Sequence, residues 1–311
     1  MQAQKVEVIR QNPSDRSSYE GLVGSITASI TTLSYLHVGS GQQIAFKVIE
    51  DKVSGKTRFE EDYLPFASIG RFIAIPGSSV KGNIRSRLEL SFKSKDGKVR
   101  SCFIRGSRLY GAPQVGKHGW RHYRIWEHAV KEERGMPCDH TAGAPVCLIC
   151  NIFGTAGLKS LVGFSNFFGE DVTGEPQNLE YEMKLIAVPP NTSFKGSISF
   201  RNLKPEELGL ILLGMGITDS KVGRPVLFGR LKYRSQVSGR TFGRIKYEVL
   251  EIRLSKFSQP LQMKGRILME PGSYEKERLD EIVKTLTNHA LHTYEGEFQI
   301  VKEVDVVEKL Q

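Results

Sequence analysis

Two hydrophobic periods share one chain of 311 residues, and together they exclude an all-helical and an all-strand fold. Ile26, Ala28 and Ile30 alternate with polar residues within 22–36, and Phe194, Gly196, Ile198 and Phe200 alternate within 183–200; both patterns read as half-buried strands. Val80, Ile84 and Leu88 instead recur at helical spacing after the Pro76-Gly77 break. Leu279, Val283, Leu286 and Ala290 do the same within 274–292. Residues 205–216 read as a buried helix with Pro205 in its first turn, 161–168 as a strand, 221–254 as a basic loop followed by a strand, and 297–308 as a last strand. A short helix is expected near 120–132. Strand, helix, strands, helix, strand is the order of an α+β, ferredoxin-like core. One domain over 1–311 is expected, with insertions at about 42–70 (irregular or hairpin-like) and 93–150.

Charge narrows the function. The formal net charge is +10, and it is concentrated: residues 71–134 hold 15 Lys/Arg against 5 Asp/Glu, and residues 221–247 hold 8 basic residues and no acidic one. Positive charge gathered this way suits a polyanion, since each neutralised phosphate releases counterions. No apolar run reaches the roughly 18–20 residues that span a bilayer. The opening MQAQKVEVIRQNPSDRSS has no signal-peptide stretch, so a cytoplasmic setting and no membrane partner are expected.

Four constellations carry chemistry. In IPGSSVKG (75–82), a helix start presents free N–H groups, Ser78 or Ser79 can cap, both hydroxyls can donate to phosphate, and Lys81 adds charge. The segment reads either as a plain helix cap or as a phosphate site, and it lacks the spacing of a Walker A loop. The stretch 228–244 interleaves Gly229, Gly239 and Gly243 with Arg230, Lys232, Arg234, Arg240 and Arg244. Tyr233 and Phe242 are candidates to stack on bases; the alternative is a basic hairpin. Cys147-x-x-Cys150, with Cys138 nine residues earlier, has the spacing of a structural zinc site, with His140 or His128 as fourth ligand; the alternative is buried, unliganded thiols. Glu60-Glu61-Asp62, before Leu64-Pro65, is either a metal-binding acidic group or a solvated loop.

Taken in order, the motifs resemble the RAMP superfamily of CRISPR proteins, especially the repeated backbone subunits of type III effector complexes. The matching residues are Leu36-His37-Val38-Gly39-Ser40, IPGSSVKG, Cys147-Leu-Ile-Cys150-Asn-Ile-Phe153-Gly154 and Gly239-Arg-Thr-Phe242-Gly243-Arg244, spread over about 22–250. The resemblance implies a palm core related to the RNA-recognition fold, with inserted thumb and zinc-containing web segments. It implies binding to crRNA and target RNA in antiviral defence, beside other subunits of the complex and further copies of the chain. The implied RNA contacts are His37, Ser40, Ser78, Ser79, Lys81, Arg85, Arg230, Lys232, Arg234, Arg240 and Arg244. Cleaving members place an Asp before IPGSS, working with a divalent cation such as Mg or Mn. Asp62, 14 residues before Pro76, is the positional match, in a D-x-x-P register where the family usually has D-x-P; Asp51, Glu60 and Glu61 are the alternatives. Without that activity the subunit is a scaffold. An unrelated RNA-processing protein with a similar sheet is the outside reading.

Overall fold

The computed structural model of the protein is described here for residues 4–41, 45–50, 54–103, 113–117, 119–179, 183–263 and 265–310. Its central sheet uses β1 (Leu22–Thr32), β2 (Ser68–Ile69), β3 (Phe72–Ile75), β4 (Val162–Phe164), β5 (Phe167–Gly169), β6 (Ser193–Leu203), β7 (Val226–Leu227), β8 (Arg244–Leu254) and β9 (Gly272–Tyr274). The spatial order is β7-β8-β1-β6-β5-β3-β2, with β4 also on β6 and β9 on β8. The four middle strands, β8-β1-β6-β5, are antiparallel throughout. Chain order puts helix α1 (Gly77–Ser91) between β1 and β5, and helix α5 (Pro205–Gly214) between β6 and β8. That is the split β-α-β arrangement the two periods called for.

The alternation in β1 works as expected. Ile26, Ala28 and Ile30 are fully buried, while Thr27 and Thr31 lie half-buried on the other face. On the buried side α5 packs against α1 and against α6 (Lys276–Thr293), and α6 also reaches β8. Leu279, Val283, Leu286 and Ala290 of α6 are all fully buried; each large one contributes about 1.5–3 kcal/mol. Gly209 lets α5 and α6 close up, for a Cβ there would lie 2.3 Å from the Leu286 carbonyl oxygen.

The two insertions differ in kind. Within 42–70, Ala45–Glu50 and Thr57–Asp62 form an antiparallel hairpin. Within 93–150, helices α2 (Trp120–Ile125) and α3 (Glu127–Val130) stand where one helix near 120–132 was expected, because Trp126 leaves helical geometry between them; α4 (Leu148–Phe153) follows at the end of the insertion. The N-terminal segment stitches this insertion down: Gln4–Lys5 pairs with Glu132–Glu133, and Glu7–Val8 with Lys98–Val99.

The expected last strand is instead helix α7 (Glu303–Lys309). Val304 and Val307 recur three residues apart and bury one helix face against Leu90, Trp126 and Leu227. Within so short a segment, neighbouring valines satisfy either period, and tertiary packing decides. No helix among the described residues is long and apolar enough to cross a membrane.

Candidate nucleic-acid face and cysteine cluster

The end of β1 and the basic loop, some two hundred residues apart in sequence, are fastened together. The Gly243 N–H donates to the Tyr35 carbonyl at 2.8 Å and the Arg230 N–H to the His37 carbonyl at 3.0 Å. The Arg244 N–H reaches Ser34 Oγ at 3.0 Å. Gly229 and Gly243 make the approach possible. Both have φ near +75°, and a Cβ would lie 2.6 Å from the His37 carbonyl oxygen at Gly229 and 2.5 Å from the Phe228 carbonyl oxygen at Gly243. The sequence motifs Leu36–Ser40 and Gly239–Arg244 are thus two sides of one surface.

His37 itself points inward. It is 1% exposed, its Nδ1 sits 2.7 Å from the Ile186 carbonyl, and burial holds its pKa below the ordinary histidine value. Its side chain therefore fixes the motif and does not face a ligand, whereas Ser40 is exposed.

Helix α1 starts on Pro76, not on Ser78 or Ser79, which lie inside its first turn. Proline brings no capping side chain, and the Gly77 N–H is taken by Asn166 Oδ1 at 3.0 Å. Ser78 is exposed, and Ser79 and Lys81 are half-buried. Burial, then the nearby Arg85, holds the Lys81 ammonium below its ordinary value. The helix is tied to the basic loop through Asn83, whose Nδ2 donates to the Leu227 carbonyl at 2.8 Å.

The loop cations divide into two groups. Arg230, Arg234 and Arg240 are exposed, with Arg240 lying over the Tyr35 ring at 5.1 Å. Lys232 is half-buried, and burial lowers its pKa to about 8. Arg244 is 3% exposed and donates to the carbonyls of Lys232, Arg234 and Phe242, so it shapes the loop from inside. Phe242 is fully buried and Tyr233 packs against the Trp126 cluster, so neither is a free stacking platform.

Arg85 also turns inward. Its Nε meets Glu89 at 2.7 Å, one terminal nitrogen donates to the Gly154 carbonyl at 2.7 Å, and the other lies 3.2 Å from Cys150 Sγ. This removes it from the exposed basic surface and assigns it to the cysteine cluster.

That cluster consists of Cys102, Cys138, Cys147 and Cys150, all buried and unbridged, with sulfurs within 4.8 Å of one another. Cys102 takes the fourth place expected of His140 or His128. His140 Nδ1 lies against the Ala144 carbonyl at 2.6 Å, and His128 Nε2 against the Leu90 carbonyl at 3.0 Å. Cys102 has no chelating neighbour in sequence; its only signal was that the chain has four cysteines in all.

The local geometry favours thiolates at Cys138 and Cys147. Backbone N–H groups of Cys102, Cys147 and Cys150 point at sulfur, at 3.4 Å to Cys147, 3.2 Å to Cys138 and 3.5 Å to Cys147 respectively. Cys147 caps α4, which puts the C-x-x-C pair on one helix turn. Hydrogen bonds shared with Cys102 pull the Cys138 and Cys147 thiols below the ordinary value, while shared bonds push Cys102 and Cys150 above it. A tetrahedron with metal–sulfur bonds of about 2.3 Å has edges of roughly 3.8 Å. The Cys102–Cys150 and Cys102–Cys147 separations of 3.5 and 3.7 Å fit that size.

Asp62 closes the hairpin strand, half-buried, with Oδ1 accepting its neighbour Tyr63's N–H at 2.8 Å. Glu60 is occupied by Arg58 at 2.9 Å, Glu61 is exposed, and Asp51 lies outside the described residues. Among the described residues the cysteines are the only group of three or more potential metal ligands.

Fold and site together define an α+β protein whose split β-α-β sheet carries a basic loop latched to its first strand, beside a buried tetracysteine cluster. The chain belongs to the RAMP superfamily, whose sequence profile matches residues 29–288. No curated protein matches it. Among solved structures it is similar to the crystal structure of Thermofilum pendens Csc2, at 16% identity and a TM-score of 0.38, over 97% of this chain and 85% of that one.

Proposed function

We propose that this chain is a crRNA-binding backbone subunit of a type III CRISPR effector complex. The observation that carries this is the latch between Tyr35–His37 and the basic loop, which leaves Arg230, Arg234 and Arg240 exposed. Fixed glycine turns with projecting arginines suit a phosphodiester backbone, which needs charge and close main-chain approach but no base readout. In this reading the split β-α-β sheet is the palm, residues 93–150 are the web, and the 42–70 hairpin is the thumb. Phe46, Val48 and Phe59, 61%, 58% and 72% exposed, lie on one hairpin face and offer apolar surface to unstacked bases or to a neighbouring copy. Zinc is the ion that four thiolates at this spacing suit, in a structural role with no open coordination position.

Binding of labelled single-stranded RNA, followed by anisotropy across salt concentrations, tests the reading. Replacing Arg230, Arg234 and Arg240 together by Ala should weaken binding equally for unrelated sequences and flatten the log–log salt slope by about 2. Unchanged affinity and slope in the triple variant would refute it.

A cleaving role rests on one further observation: Asp62 lies just before Leu64–Ala67, the segment where the Ala67 N–H donates to the Val38 carbonyl at 2.8 Å, so it borders the same face. A lone carboxylate can share a Mg or Mn ion with substrate phosphates. Asp62→Ala in the assembled complex should then abolish cutting of target RNA at this subunit's position and leave crRNA bound. Persistence of every cut at the wild-type rate makes the subunit a scaffold.

A further inference from the structure

We infer that Arg85 is the counter-charge of the cysteine thiolates, setting how tightly the cluster holds a thiophilic divalent cation. This rests on reading the cluster as a metal site, and it adds a residue that no ligand spacing reveals.

Four thiolates around a divalent cation leave two net negative charges in a buried place, where uncompensated charge is expensive. The guanidinium of Arg85 lies at hydrogen-bond distance from one of those sulfurs, 3.2 Å from Cys150 Sγ. It is held there from two sides, by Glu89 at 2.7 Å and by the Gly154 carbonyl at 2.7 Å, the residue that ends the C-x-x-C helix. The Arg85 and Glu89 side chains are 12% and 10% exposed.

The other buried arginine here is engaged elsewhere. Arg134 is paired with Glu132 at 2.8 Å and donates to the carbonyls of Glu89, Ser101 and Phe92. Among the described residues, Arg85 is the cation whose nitrogen reaches sulfur, and Glu89 is the anion that competes with sulfur for it. A divalent cation needs the sulfurs as thiolates. A fixed positive charge beside Cys150 favours the loaded form, and Glu89 opposes it.

The test uses metal-free protein and Co(II) as probe, with affinity measured by competition against a chelator and the sulfur-to-cobalt absorption band as signature. Arg85→Met should weaken Co(II) binding by about 10–100-fold, the range typical of residues that orient or polarise ligands. Arg85→Lys keeps the charge and should fall between the two. Glu89→Gln frees the guanidinium for sulfur and should bind at least as tightly as the wild type. Because a packing defect would weaken all three variants alike, Glu89→Gln remains decisive even if Arg85→Met folds poorly; binding as weak as in Arg85→Met overturns the inference. So does Arg85→Met at wild-type affinity. A wild type that takes up no cobalt instead overturns the metal reading itself, and the inference with it.

Discussion

Arg87 Nε and Glu303 Oε1 lie 2.6 Å apart, in side chains only 5% and 1% exposed. The pair joins α1 to α7, and Arg87 also donates to the carbonyls of Gly214 and Leu227, so one side chain ties four elements together. Arg224 is a second cation for the same carboxylate, at 3.7 Å.

Breaking such a pair strands a buried charge. Glu303→Ala should cost about 3–5 kcal/mol in denaturant unfolding. The double variant Arg87→Met/Glu303→Met should recover part of that loss, because it removes both charges of the buried pair. A double variant as unstable as the sum of the single ones would show that the pair is not coupled.

Cys102→Ser should lose the bound metal as completely as Cys147→Ser, while His140→Ala keeps it. Elemental analysis of purified protein, with about one zinc per chain expected in the wild type, reads this directly. Chelation should lower the melting temperature, since binding to the folded site adds to folding free energy.

Arg234 lies in the basic loop and Arg244, ten residues on, opens β8, and the two should fail differently. Arg244→Ala strips donors from buried carbonyls and should destabilise the fold by ~1.5–3 kcal/mol. Arg234→Ala should leave the unfolding midpoint in place and reduce RNA affinity. Equal melting curves for the two variants would contradict the division of the loop into inner and outer arginines.

Acid should weaken the fold through its buried histidines. An unfolded histidine titrates near pH 6.5. His122 is pushed down to about 4, by burial first and Lys232 second, and burial lowers His37 as well. Between pH 6.5 and 4 the unfolded chain therefore binds protons that the folded one refuses. Stability is intact above that window and falls as pH drops through it. Urea midpoints at neutral pH and at about pH 4.5 should separate less in His122→Gln than in the wild type, and an identical separation would rule out His122 as a contributor.

The fold was legible where periods were long. Ile26–Ile30 and Leu279–Ala290 each repeat often enough to fix element and face, and the strand–helix order then leaves few topologies. Residues 297–308 were too short to choose, and α7 owes its form to the partners of Val304 and Val307. For the site, spacing could find Cys147 and Cys150 because a C-x-x-C pair chelates locally. It could not find Cys102, brought in by tertiary structure alone, nor tell that Arg85 and Arg244 point inward while Arg230 and Arg234 point out. Orientation around a helix or loop is a property of what packs behind it, and a list of basic residues carries no such information.

The position of β1 also bears on how the protein comes to be made. The strand is complete by residue 32, yet both neighbours in the sheet, Ser193–Leu203 and Arg244–Leu254, are encoded far downstream. At ~5–20 residues per second of synthesis, β1 emerges roughly 10–40 s before its last partner. Until Ser193–Leu203 follows, both edges of this half-apolar strand are open, and the edge facing β8 stays open longer still. The central sheet must therefore close only once Arg244–Leu254 has left the ribosome, and a nascent chain stalled before residue 244 should still expose the β1 edge on which β8 will pair.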